Sequence, residues 1–137
     1  MEEQKQKLVY ANLFSVKFNF PGFKKAKELS DIVEGYNHAH LKNADLMGLV
    51  ITGDVEIDFV RCELLIEFLK EQYENKTLGE IELICFNTEG KGLFKRTYSG
   101  AKVVNPTEIF NHLNYDIQSS GLENVSFSYN AFKQEFL

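Results

Sequence analysis

The chain has 137 residues, 44% of them hydrophobic and 26% charged, which suits one globular domain with a genuine core and leaves little room for a second. Its formal net charge is −5, and the 15 basic side chains are 13 lysines and two arginines, Arg61 and Arg96, spread without a basic run. That distribution speaks against a nucleic-acid grip built on clustered, bidentate arginines, and no apolar run reaches the length of a membrane span.

Met1 to Lys7 contains no apolar signal core, so the chain is expected to stay in the cytoplasm of the cell that makes it. Residues 1–11 read as a flexible N-terminal segment and 12–137 as a single domain. Leu13 to Phe20 then alternates strictly, with Phe14, Val16, Phe18 and Phe20 on one side and Ser15, Lys17 and Asn19 on the other. This predicts a half-buried strand ended by Pro21-Gly22. Between Phe23 and Asp45 the pattern blurs. Phe23, Ala26, Leu29, Ile32 and Val33 suggest a helical turn or two, and Gly35 with the polar run Tyr36 to Asn43 suggests a long loop, which in a small domain usually has a job. Leu46 to Val60 reads as strand, with Val55, Ile57 and Phe59 alternating against Asp54, Glu56 and Asp58 and a bend at Gly53.

Arg61 to Asn75 predicts a helix whose core stripe is Cys62, Leu65, Ile66, Leu69 and Tyr73. Leu64 and Phe68 form a separate i, i+4 pair on roughly the opposite side. After the helix the chain reads as β to its end. Glu80 to Phe86 and Leu93 to Val104 flank the turn-rich Asn87 to Gly92 as a hairpin, Asn105-Pro-Thr107 breaks the chain, and two further segments run over Phe110 to Ile117 and Glu123 to Phe132. The fold class is therefore mainly β, a small antiparallel β-barrel or two-sheet sandwich with one flanking α-helix at about residues 61–75.

Catalytic chemistry is hard to place on this pattern. Gly90-Lys91-Gly92 lies between two strands and reads as a hairpin turn, not a phosphate loop. His38 and His40, with Asp45 nearby, lack a third close metal ligand and read as solvated loop residues. Cys62 and Cys85 sit in apolar contexts that disfavour a thiolate, so neither forms a convincing nucleophile with His112. The acidic side chains follow solvated strand and helix faces. No catalytic residue, cofactor or metal is expected. The 18 Phe and Tyr residues admit one other reading, a small ligand-binding barrel or sandwich, even an enzyme, whose aromatic faces line a pocket.

The order of segments resembles the tail tube proteins of contractile-tailed phages, and more distantly the inner-tube subunits of type VI secretion and related injection systems. The resemblance is carried by Asn12-Leu-Phe-Ser-Val-Lys-Phe18, the long connection with Ile32-Val-Glu34, Gly53-Asp-Val-Glu-Ile-Asp-Phe59 and the helix after it. It continues through Ile81-Glu-Leu-Ile-Cys-Phe86, Phe94-Lys-Arg-Thr-Tyr98, Ser99-Gly-Ala101, Asn105-Pro-Thr107, Leu113-Asn-Tyr-Asp116 and Glu123 to Tyr129. Ala101 replaces the family's usual Trp or Phe, Pro106 comes later than usual, and the connection before the helix is compact. These departures leave open both the principal tube subunit and a tube-initiating, baseplate or terminating relative.

The resemblance implies a β-barrel subunit without enzymatic activity that joins its sheets edge to edge in rings of six, stacked as the hollow tube of a virion or injection particle. The implied partners are further copies of the chain, sheath and baseplate proteins, and DNA passing through the lumen without specific binding. A lumen passing that polyanion should lack basic clusters, which the net charge of −5 suits. The candidate assembly interface is Leu64 and Phe68 on the helix with Phe23, Leu29, Ile32, Tyr36 and Leu41 on the long connection; a wide core-facing stripe is the competing reading for the helix pair.

Overall fold

The computed structural model describes residues 13–44, 51–104, 106 and 121–137. Strand β1 (Phe14–Asn19) buries Val16 and Phe18 and turns Ser15, Lys17 and Asn19 outward, as its alternation requires. The helical turn expected at Ala26, Leu29 and Ile32 is a 3-10 helix (Ala26–Ile32) that sinks Ala26 and Leu29 into the core, and the loop expected after it is instead the 12-residue strand β2 (Val33–Ala44). Its alternation was obscured for a physical reason. The register of β2 against β3 (Ile51–Val60) shifts between Val33 and Gly35, between Asn37 and His40, and between Leu41 and Asn43, and each shift resets the face on which side chains emerge.

Helix α1 (Glu63–Asn75) follows, closed at its C-terminus by Lys76 in the left-handed conformation. Strands β4 (Gly79–Phe86) and β5 (Gly92–Val103) form the expected hairpin. The strand expected from Glu123 to Phe132 is two strands, β6 (Leu122–Tyr129) and β7 (Ala131–Phe136), because the chain turns at Asn130 and each half takes its own partner. Expectations for Leu46–Val50, for Phe110–Ile117 and for the N-terminal segment lie outside the described residues.

The seven strands among the described residues run in the order β1-β4-β5-β6-β3-β2, with β7 added on the other side of β5. All pairs are antiparallel. β5 joins two layers. From Phe94 to Ser99 it pairs with β4 on one side and β7 on the other, and at Lys102 and Val103 it pairs with β6. The first layer is thus β1-β4-β5-β7 and the second is β6-β3-β2, curled over it as a half-barrel with α1 alongside. Gly100 makes the transfer possible. It has φ +65°, and a Cβ there would run into the side-chain amide of Asn130, so the corner needs both the left-handed backbone and the missing side chain.

The core is where the aromatic load goes. Phe18, Phe20, Phe59, Phe68 and Phe127 pack on one another, with centroids 5.7 Å apart for Phe18 and Phe59 and an edge-to-face contact at 5.2 Å between Phe20 and Phe68. These rings fill the interior with each other, and Phe18 and Phe20 also border a surface groove with Pro21, Phe23, Lys24 and Lys27.

Candidate assembly surface

The residues expected at an interface fall into two groups. Phe68 and Leu29 are fully buried by the chain itself, and Phe23, Ile32, Leu64 and Tyr36 are half-buried against the same core. The side chain of Leu41, like those of His38 and His40, is outside the described residues, and so is all of Asp45 and His112; Leu41 pairs through its backbone register with Gly53. The face of α1 is therefore rotated from the expected one. Leu65, Phe68, Leu69 and Gln72 look inward at i, i+3, i+4 and i+7, and Tyr73 is 53% exposed. Two anchors cause the rotation. Phe20 and Phe23 draw in Phe68, and Gln72 accepts a 2.8 Å hydrogen bond from the Val103 amide while donating at 2.9 Å to the Thr77 carbonyl.

Tyr36 fastens the second layer to the first. Its hydroxyl bonds that of Tyr98 and accepts from Arg96 Nη1 at 2.7 Å, and Arg96 Nε donates to Gln134 on β7 at 2.7 Å while the guanidinium stacks on Phe94. Burial pushes the Tyr36 and Tyr98 hydroxyls above the usual phenol range; for Tyr36 the bonds from Tyr98 and Arg96 oppose that shift without cancelling it. Burial likewise raises the Cys85 thiol, which makes it a poor thiolate. Among the described residues no group of three or more His, Cys, Asp or Glu is arranged to hold a metal, and no helix is long and apolar enough to cross a membrane.

What the sequence did not reveal is which strand edges are open. The Phe86 amide donates to the Leu13 carbonyl at 2.9 Å. By the alternation of an antiparallel ladder, Ser15, Lys17 and Asn19 direct their backbone groups to β4, and Phe14, Val16 and Phe18 direct theirs outward. β1 has no second neighbour among the described strands, and a groove lined by Phe14, Val16, Ser30, Val33 and Glu34 separates it from the start of β2. At the far side of the same layer, the Leu137 amide bonds the Leu93 carbonyl, so Phe132, Gln134 and Phe136 of β7 present their backbone groups to the other edge, which has no further neighbour among the described strands. Phe136 is 80% exposed and Leu137 63%. β7 pairs with β5 without a register shift, whereas the open edge of β2 belongs to the strand with three, a common way to discourage pairing.

The outward faces of the layers differ in charge. The second layer shows Asp54, Glu56 and Asp58 beside Asn124, Ser126 and Ser128, with Asn124 donating to Asp58 at 2.8 Å. The first layer shows Lys17, Lys95 and Lys133 interleaved with Glu80, Glu82 and Glu135.

No protein-family model matches the chain, and no curated protein does. Solved structures do match. The cap that terminates the tube of the anti-feeding prophage superposes with a TM-score of 0.57 at 10% identity, over 100% of both chains. It has the fold of a contractile injection system tube protein. A chain of the extended PVC sheath-tube complex, from an extracellular contractile injection system, gives 0.52 at 10% identity over 100% of this chain and 99% of that one. An Hcp protein gives 0.50 at 13% identity over 90% and 98%. All three likenesses lie below 25% identity and carry the fold alone.

Proposed function

We propose that the chain is a tube subunit of a contractile tail or injection particle, performing no catalytic step, whose copies form six-membered rings that stack into a conduit for DNA or effector proteins. The observation that carries this reading is a four-stranded layer whose two edges have no partner among the described residues, in a fold also met in tube and cap proteins. Along β1-β4-β5-β7 the strand directions alternate, so β7 of one copy and β1 of the next are antiparallel in any ring, and every joint repeats the pairing already used inside the subunit. Contacts between different patches, repeated by rotation, close rings. Six copies of a four-stranded layer at about 4.8 Å per strand give a circumference of about 115 Å and a backbone-to-backbone width of about 37 Å. The second layer and α1 pack on the core side of that sheet, so they belong at the larger radius and the Lys17 face belongs on the lumen. The exposed faces of the second layer and helix are then left for sheath and baseplate partners.

A second reading is a ring that ends a tube, favoured by the full-length match to the tube-terminating cap. Elongation separates the two: a tube subunit stacks ring on ring, and a cap stops at one. Val16→Pro tests the joint. It deletes an outward-facing amide and none of the β1–β4 bonds, so light scattering should show a folded monomer where the parent chain gives a six-fold mass. A variant that still forms rings at the parent's concentration contradicts the joint.

A further inference from the structure

The face assigned to the lumen carries three lysines per copy, an awkward feature for a conduit that must release a polyanion. Each of them has a glutamate beside it. Glu82 lies directly across from Lys17 in the β1–β4 register, and its Oε2 is 3.4 Å from Lys95 Nζ. Glu135 is 3.5 Å from Lys133 and pairs across from Lys95. Glu80 completes the set and accepts from Ser99 at 3.4 Å. Three positive and three negative side chains leave this face neutral, and the acidic surplus of the second layer sits on Asp54, Glu56 and Asp58, away from it.

We propose that Glu82 is the specificity-determining residue of the conduit wall: ion-paired with Lys95 and facing Lys17 across the β1–β4 register, it offsets their charge and keeps the wall from holding a passing polyanion. The proposal rests on the ring reading above. A lysine that already has a carboxylate beside it releases few counterions when a phosphate approaches, and counterion release is what drives non-specific binding to nucleic acid. Neutrality of the wall by mutual pairing, and not repulsion by an excess of acid, is then what lets cargo of either charge pass.

The experiment uses assembled tubes of the parent chain, of Glu82→Gln, and of the triple variant Lys17→Gln, Glu82→Gln, Lys95→Gln, each mixed with a short fluorescent duplex DNA and pelleted across a salt series. Glu82 is a half-buried residue of the outer face, so its amide variant should fold. At about 50 mM salt, Glu82→Gln tubes should retain roughly tenfold more duplex than parent tubes, with a log–log salt slope steeper by about 0.9 for the one lysine whose ion pair is lost, and the triple variant should return to the parent level. Equal retention by parent and Glu82→Gln tubes overturns the proposal, and so does a triple variant that still retains DNA. Failure of the underlying reading has a different signature: in tubes carrying Cys62→Ser and Thr97→Cys, the latter the neighbour of Glu82 on the same face, reaction with a maleimide too bulky for the conduit overturns the lumen assignment itself.

Discussion

At the scale of single residues, Gly100 and the Tyr36–Tyr98–Arg96 cluster hold the two layers in their relation. Gly100→Ala forces a side chain into a left-handed position and against Asn130, so it should lower stability by more than about 2 kcal/mol, read as a drop in Tm. Tyr36 and Tyr98 have folded-state pKa values raised above the ordinary 10.0 by burial, so the unfolded chain gives up those protons first as pH climbs. Their contribution is complete below about pH 10 and is lost above it. Denaturant midpoints should therefore fall steeply above pH 10, and Tyr36→Phe together with Tyr98→Phe should flatten that fall. Neither residue's role was legible beforehand. Tyr36 sat in a stretch read as loop, and a contact across 62 residues leaves no local pattern.

At the scale of elements, the regular strands were the readable ones. β1 and β4 alternate because one face of each is buried and the other more solvated, and the start of α1 at Glu63 lies within two residues of the expected Arg61. β2 was unreadable because its bulges break the period-two signal, and β7 because a single residue, Asn130, separates it from β6. The helix face was misassigned for another reason. Its inward positions include a glutamine that bonds backbone, and hydrophobicity alone gives no weight to Gln72 over Tyr73. Phe68→Ala should accordingly cost about 3–5 kcal/mol, whereas Tyr73→Ser should change stability by under about 0.5 kcal/mol, as measured by chemical denaturation. The reverse ranking would restore the sequence-based stripe.

At the scale of the whole molecule, the tube-like fold was legible and its unpaired strand edges were not. The order of segments already resembled tube proteins, and the fold agrees. The residues chosen from sequence as an interface are mostly core or half-buried against it, because hydrophobic side chains that break a local period were taken for surplus when tertiary packing had use for them. The edges of the first layer left without a partner among the described residues are defined by backbone hydrogen bonding at β1 and β7, which side-chain identity does not encode. Those edges make the central claim physical: a subunit whose first layer is finished only by its neighbours. Electron microscopy of the purified chain at high concentration tests it most directly. The account predicts rings with six-fold class averages and a continuous inner wall about 37 Å across between backbones, and a chain that stays monomeric, alone and with its baseplate, would contradict it.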